Sequence, residues 1–238
     1  MYRELAPPGE LTPLIKCFWM ASNKTASALN FTTLPDGCLE LVVFFQQGVL
    51  KDVLLFGIQS APYDIEMPGS ELKIGIRLKP LGKEYYLDQC ETLERFSAFA
   101  KIAGDDRLQN FAAQVSADIR ETVQVEQIDR RKRLLFDQLE QTAGNIDVET
   151  LSAQAFWSAR QINRYLNKLL GIPFKSYSSI LKCYAAYKEI KAGDLNPDLG
   201  FYDQSHFIRE IKKYTGTTPR VLLKNEAQRY LQLNDPTQ

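Results

Sequence analysis

The stretch Ser158–Gly171, SARQINRYLNKLLG, leaves little choice of local structure. A serine followed three residues on by glutamine is a capping box, in which each side chain satisfies a backbone N–H at the start of a helix. At about 100° per residue, Ile162, Leu166 and Leu169 share one face, and Gly171 offers the left-handed residue that closes helices. Upstream, Asp147 can cap a shorter helix with Val148 and Leu151 turned inward, and Ala155-Phe156-Trp157 interrupts it. A short helix, a tight break and a longer helix predict a helix-turn-helix.

The outer face of the longer helix carries Arg160, Arg164, Asn167 and Lys168, with Asn163 on its flank, and no Asp or Glu occurs from Ser158 to Leu170. A merely solvated face usually mixes signs to form i,i+4 pairs. Arginine can bond guanine bidentately and asparagine adenine, while lysine and a capped helix start suit phosphate. The pattern therefore points to major-groove contact with double-stranded DNA.

The first third of the chain follows a different period. Asn30–Leu34 and Cys38–Phe45 flank Pro35-Asp36-Gly37, a turn in which proline pre-sets φ and glycine permits positive φ. Val53–Ile58 and Leu72–Lys79 read as further strands. In the latter, Leu72, Ile74, Ile76 and Leu78 alternate with Lys73, Gly75, Arg77 and Lys79, which predicts one buried and one wet face. Pro80 ends that strand, and from Gly104 to Ile119 the residues Leu108, Phe111, Ala112 and Val115 follow a helical spacing. No strand is convincing after about Gln127. Arg130–Arg133 reads as a solvated run on a helix that buries Leu135 and Leu139.

The expected fold is thus α+β. A β-rich domain over 1–125, with flanking helices, precedes an all-α domain over 126–225 and a polar tail over 226–238. Charge divides the same way: residues 1–125 hold 12 Lys/Arg against 16 Asp/Glu, and 126–225 hold 16 against 11. A basic second half suits an anionic partner. No apolar run approaches the roughly 18 residues that span a bilayer, and the N-terminus lacks a signal-type apolar core, so a cytoplasmic location is expected. Cys17, Cys38, Cys90 and Cys183 show no paired spacing and read as free packed thiols.

A second helix repeats the construction. Asp203 can cap it, Phe207, Ile211 and Tyr214 form its inward stripe, and Ser205, His206, Arg209, Lys212 and Lys213 point away. His206 is the sole histidine of the chain, which argues against a metal site there; its spacing turns it toward a phosphate or a base edge. Between the two units, Tyr177, Ile180, Leu181, Tyr184 and Ala185 form the stripe of a long helix that Gly193 ends.

Gly200–Pro219, GFYDQSHFIREIKKYTGTTP, resembles the C-terminal signature of AraC/XylS-type transcription regulators, and Leu151–Tyr177 is similar to the first helix-turn-helix of the same domain. The resemblance covers residues 127–225. It implies two helix-turn-helix units joined by a linker helix, with base readers at Arg160, Asn163 and Arg164 in the first. In the second they fall at Gln204, Ser205, His206 and Arg209. LPDGCLELVV and GIRLKPLGKEYYL resemble, less specifically, the sensor-like domain of some members, sometimes cupin-like. That implies a small effector, of unnamed identity, a homodimer, or both. Three departures stand out. Phe156 occupies the usual turn glycine, which predicts a differently shaped turn, and Ser152 replaces a packing alanine. Only Asp194–Leu199, with a central proline, separates Gly193 from Gly200, so the second unit lacks its bracing helix.

The function these residues predict is sequence-specific DNA binding in transcription regulation, responsive to a ligand or partner. The alternative is a ligand-binding or protein-interaction module whose DNA reading has decayed. No catalysis, cofactor or metal is expected: residues 1–125 contain no histidine, and Cys38 lies beside Asp36 and Glu40, which oppose a thiolate.

Overall fold

The structure, a computed structural model, describes residues 1–101, 106–225, 230 and 233. The start of the helix expected at Gly104 and most of the tail lie outside those residues. The chain begins with strands β1 (Tyr2–Leu5), β2 (Ile15–Ser22), β3 (Leu29–Thr33), β4 (Leu39–Gln46), β5 (Val49–Phe56), β6 (Tyr63–Met67) and β7 (Glu71–Leu78). An antiparallel sheet has the order β1-β2-β7-β4-β5, and β3 pairs with β6 apart from it. The helices follow: α1 (Pro80–Tyr85), α2 (Arg95–Ala100), α3 (Arg107–Thr122), α4 (Arg130–Gln141), α5 (Val148–Ala155), α6 (Ala159–Leu170), α7 (Phe174–Lys191), α8 (Gln204–Thr215) and α9 (Pro219–Lys224). The α+β class and the order of a β-rich part before a helical part are as the sequence predicts.

One sheet face meets α2 and α3. Phe18, Leu41, Val43, Ile74 and Ile76 bury against Phe96, Phe111 and Val115, and the rings of Phe18 and Phe111 meet edge-on. The other face is not wet, contrary to the alternation in β7. Lys73 is 8% exposed and Arg77 5%. The reason is topological: β7 sits between β2 and β4, and Trp19, Val42 and Cys17 from those neighbours cover its second face with Tyr2, Phe44 and Phe56. Gly75 makes room for the indole, since a Cβ there would lie 2.7 Å from the Trp19 ring. Arg77 avoids an unpaired burial by bonding Glu40 at 2.7 Å and Glu4 at 2.9 Å.

The core does not stop where the strands do. A single apolar cluster continues from the sheet through Leu81, Tyr86 and Ile128 to Leu135, Leu139, Leu151, Ile162, Leu166 and Tyr177. A second gathers Ile180, Cys183, Ala186, Tyr187 and Ile190 of α7 with Phe207, Ile211 and Tyr214 of α8. Two buried residues of the tail, Tyr230 and Leu233, join it. The helix α7 is therefore wrapped on two sides rather than by the single stripe its spacing predicts. Its 18 residues give a rod of about 27 Å.

Candidate nucleic-acid interface

The helix-turn-helix forms where its caps put it. Asp147 accepts the N–H of Thr150 at 2.7 Å. The hydroxyl of Ser158 accepts the N–H of Gln161 while the Gln161 amide oxygen accepts the N–H of Ser158, and Gly171 closes α6 at φ 75°. The turn corrects the expectation for Phe156. It keeps the left-handed residue that a glycine would supply, with Phe156 itself at φ 55°, ψ 36° and 78% exposed. Ser152 explains how: its hydroxyl donates to the Trp157 carbonyl and clasps the turn.

Ile162, Leu166 and Leu169 anchor α6, which leaves Arg160, Arg164, Asn167 and Lys168 exposed. Arg160, Arg164 and Lys168 have no ion-pair partner among the described residues. Asn163 is half-buried and engaged at both ends of its amide. Its nitrogen donates to the Ala159 carbonyl and its oxygen accepts the N–H of Phe174, which shapes the passage into α7. A base could be read by Asn163 only by displacing those bonds.

The β-rich part reaches this helix. Glu84 of α1 accepts the Tyr165 hydroxyl at 2.5 Å with one oxygen and the Lys132 ammonium at 2.5 Å with the other. Burial, then this hydrogen bond, raises the Tyr165 phenol above its ordinary range. A cleft of about 680 Å³ runs between α1 and α6, bordered by Asp88, Trp157, Arg164 and Lys168. Its acids are already paired, Asp88 with Lys83 at 2.7 Å and Glu84 with Lys132. One flank of α6 is thus walled, with Arg164 and Lys168 at the rim of the cleft, and Arg160 and Asn167 are exposed outside it. No sequence pattern pairs residues 84 and 165; the contact depends on how α1 packs.

In the second unit Asp203 caps α8 by accepting the N–H of His206 at 2.6 Å. Gln204, Ser205, Arg209, Lys212 and Lys213 are exposed. Lys213 lies over the Tyr214 ring at 4.7 Å. His206 is half-buried: its Nδ1 accepts the N–H of Tyr202 at 3.1 Å and its ring meets Phe201. The lone histidine is part of the cap of α8, and Nε2 is the ring nitrogen that the cap does not use. Residues 192–203 contain no helix, and Leu195, Leu199 and Phe201 pack on the second cluster in place of a brace.

A second concavity lies at the junction of the two parts, about 250 Å³, between the Pro35–Gly37 turn, α4 and α7. The turn docks on α7 through the Tyr177 hydroxyl, which donates to the Gly37 carbonyl at 3.2 Å. A Cβ at Gly37, where φ is +77°, would lie 2.7 Å from Leu181. The four cysteines are free, and burial pushes the Cys17 thiol up to about 12 and raises Cys38 as well. Among the described residues no group of His, Cys, Asp and Glu could hold a metal ion, and no helix is long and apolar enough to cross a membrane.

The family model described as Domain of unknown function (DUF6597) matches residues 3–89, less than half of the chain. No curated protein matches it. Among solved structures the chain is similar to ToxT from Vibrio cholerae O395, at 10% identity and a TM-score of 0.43, over 87% of this chain and 97% of that one. It is similar also to that protein bound to (E)-4-(8-methylnaphthalen-1-yl)but-3-enoic acid, at 11% identity and 0.44, over 98% of both chains. A third is unsaturated fatty acid bound ToxT from strain SCE256, at 12% identity and 0.44, over 86% of this chain and 93% of that one.

Proposed function

We propose that the protein is a sequence-specific double-stranded-DNA-binding transcription regulator whose β-rich part makes it responsive to a ligand or partner. The observation that carries the reading is the outer face of α6, where Arg160, Arg164, Asn167 and Lys168 are exposed and the three cations have no ion-pair partner among the described residues, on a helix capped at both ends. The resemblance of Gly200–Pro219 to AraC/XylS-type regulators supports it. In the major groove Arg160 and Arg164 bond guanine edges, Asn167 an adenine, and Lys168 a phosphate. Gln204, Ser205 and Arg209 lie at the exposed start of α8 and supply the second contact, with Lys213 near the backbone. Glu84 links this interface to the β-rich part through Tyr165 and Lys132, which gives the sensor a handle on the reader.

On a selected site Arg164→Ala weakens binding by about 1–3 kcal/mol and relaxes one base position. Equal weakening on every sequence would reduce Arg164 to a phosphate contact. The missing brace ahead of α8 favours a second form of the reading, in which the first unit alone reads bases. Binding that survives Arg209→Ala but not Arg160→Ala is its signature; equal losses show two working units.

A further inference from the structure

We propose that the junction cavity binds a small, mostly apolar molecule through a hydroxyl group. The inference deepens the ligand-responsive half of the reading above and rests on it for its regulatory consequence, while the binding itself needs no DNA.

Strand β2 is irregular where it pairs with β7. Ile15 faces Leu78 and Cys17 faces Arg77, so Lys16 is the extra residue of a β-bulge. Bulges re-aim side chains and recur beside binding sites. Here the Lys16 ammonium leaves the sheet and stands 3.5 Å from the centre of the Tyr184 ring on α7. The opposite polar group is Asp36 of the Pro35–Gly37 turn, 8% exposed. Its Oδ1 accepts the N–H of Cys38 at 2.9 Å. Its Oδ2 is buried and accepts no hydrogen bond from the described residues. Lys16 Nζ lies 3.8 Å from that oxygen, beyond hydrogen-bond reach. Arg77 Nε lies 3.4 Å away and donates to Glu40 instead.

Lys16 and Asp36 both line the cavity without hydrogen-bonding each other, and the Asp36 Oδ2 is buried just behind its wall. The group that answers both must accept from an ammonium and donate to a carboxylate. A hydroxyl does both. A carboxylate can only accept and meets the like charge of Asp36; an ammonium can only donate and meets Lys16. The rest of the wall is mostly apolar, from Leu81, Phe136, Tyr177, Leu181 and Tyr184, and its other charged residues are already paired, Lys79 with Glu140 at 2.7 Å and Asp137 with Arg133 at 3.8 Å. An apolar cavity of about 150 Å³ takes a benzene; this one, at about 250 Å³, suits a ring with a short chain. The ligand class is a phenol or an arylalkyl alcohol. Bound there it bridges β2, the Pro35–Gly37 turn and α7, the rod that joins the two reading helices.

Calorimetric titration of the full chain, without DNA, tests this with 4-propylphenol, 4-propylbenzoate and 4-propylbenzylamine. The phenol binds one to one and about tenfold or more tighter than either ion, the difference that one hydrogen bond to a charged group makes. Ala185→Phe fills the cavity and abolishes the binding without touching Asp36. Asp36→Asn lowers it about tenfold by the same reasoning, and Lys16→Met replaces that variant if it fails to fold. Tighter binding of the benzoate or the amine, binding unchanged by Ala185→Phe, or no binding of any of the three overturns the proposal. A chain that binds the phenol but selects no DNA keeps this site and loses the regulator reading; one that selects DNA but takes no phenol does the reverse.

Discussion

Replacing Arg77 by methionine probes the feature of the β-rich part that its alternating sequence hides. The guanidinium lies between Glu40 at 2.7 Å, Glu4 at 2.9 Å and Asp36 at 3.4 Å, with only 6% of its side chain exposed. Methionine fills much of the space but leaves the buried Asp36 and the half-buried Glu40 without this cation, and Glu4 beside them at the edge. Removing one partner of a buried ion pair costs about 3–5 kcal/mol. For a chain of 150–250 residues each kcal/mol moves the midpoint of thermal unfolding by about 2–4 °C, so the variant should melt roughly 6–20 °C lower at neutral pH. The loss depends on pH in a stated direction. Burial already raises the Glu40 carboxyl above its ordinary range, against the pull of Arg77. Without Arg77 it rises further. A carboxyl whose folded pKa exceeds its unfolded value stabilises the fold below the unfolded pKa, and that contribution is lost as pH rises through the folded pKa. The gap between variant and parent therefore narrows from pH 8 to pH 5. Circular dichroism melts at both values decide it. A gap below about 1 kcal/mol, or one equal at the two pH values, would mean that the cluster is not the paired, desolvated unit described.

Phe156→Gly removes a bulky residue from the left-handed region, a strain of about 1–2 kcal/mol offset by the greater freedom of glycine when unfolded. The net gain is about 0.5–1 kcal/mol, read as a rise of a few degrees in the melting midpoint; a fall would show that the exposed ring makes a contact worth more than the strain. Asp129, the cap of α4, titrates at about 2, chiefly because the Arg131 side chain hydrogen-bonds its carboxylate. That pair stabilises the fold above the ordinary aspartate pKa near ~3.9 and is lost as pH falls through about 2. Carbon-13 NMR of the carboxyl should move the titration upward in Arg131→Ala, and an unmoved titration contradicts the assignment.

What the sequence shows about this chain is what is decided locally. The caps Asp147, Ser158 and Asp203 and the closing glycine Gly171 bond within a few residues of themselves, so spacing alone places the starts of α5, α6 and α8 and the end of α6. The outward face of α6 follows from the same period. Distant pairings are not written in any such window. The two-sided burial of β7 follows from strand order, which sets β2 and β4 beside it. The Glu84–Tyr165 bond joins residues 81 apart, and the bulge at Lys16 shows only once β2 is laid on β7. His206 shows the limit within a helix: spacing turns it outward, yet its ring folds back to bond Tyr202 and touch Phe201.

The central claim is that α6 reads bases. Selection of genomic fragments with the purified full chain, beside Arg160→Ala/Arg164→Ala, tests it most directly. The parent should enrich one sequence motif, with affinity falling steeply as salt rises through counterion release, and the double variant should lose the motif. Recovery of no preferred sequence by the parent, or of the same motif by the double variant, contradicts the account.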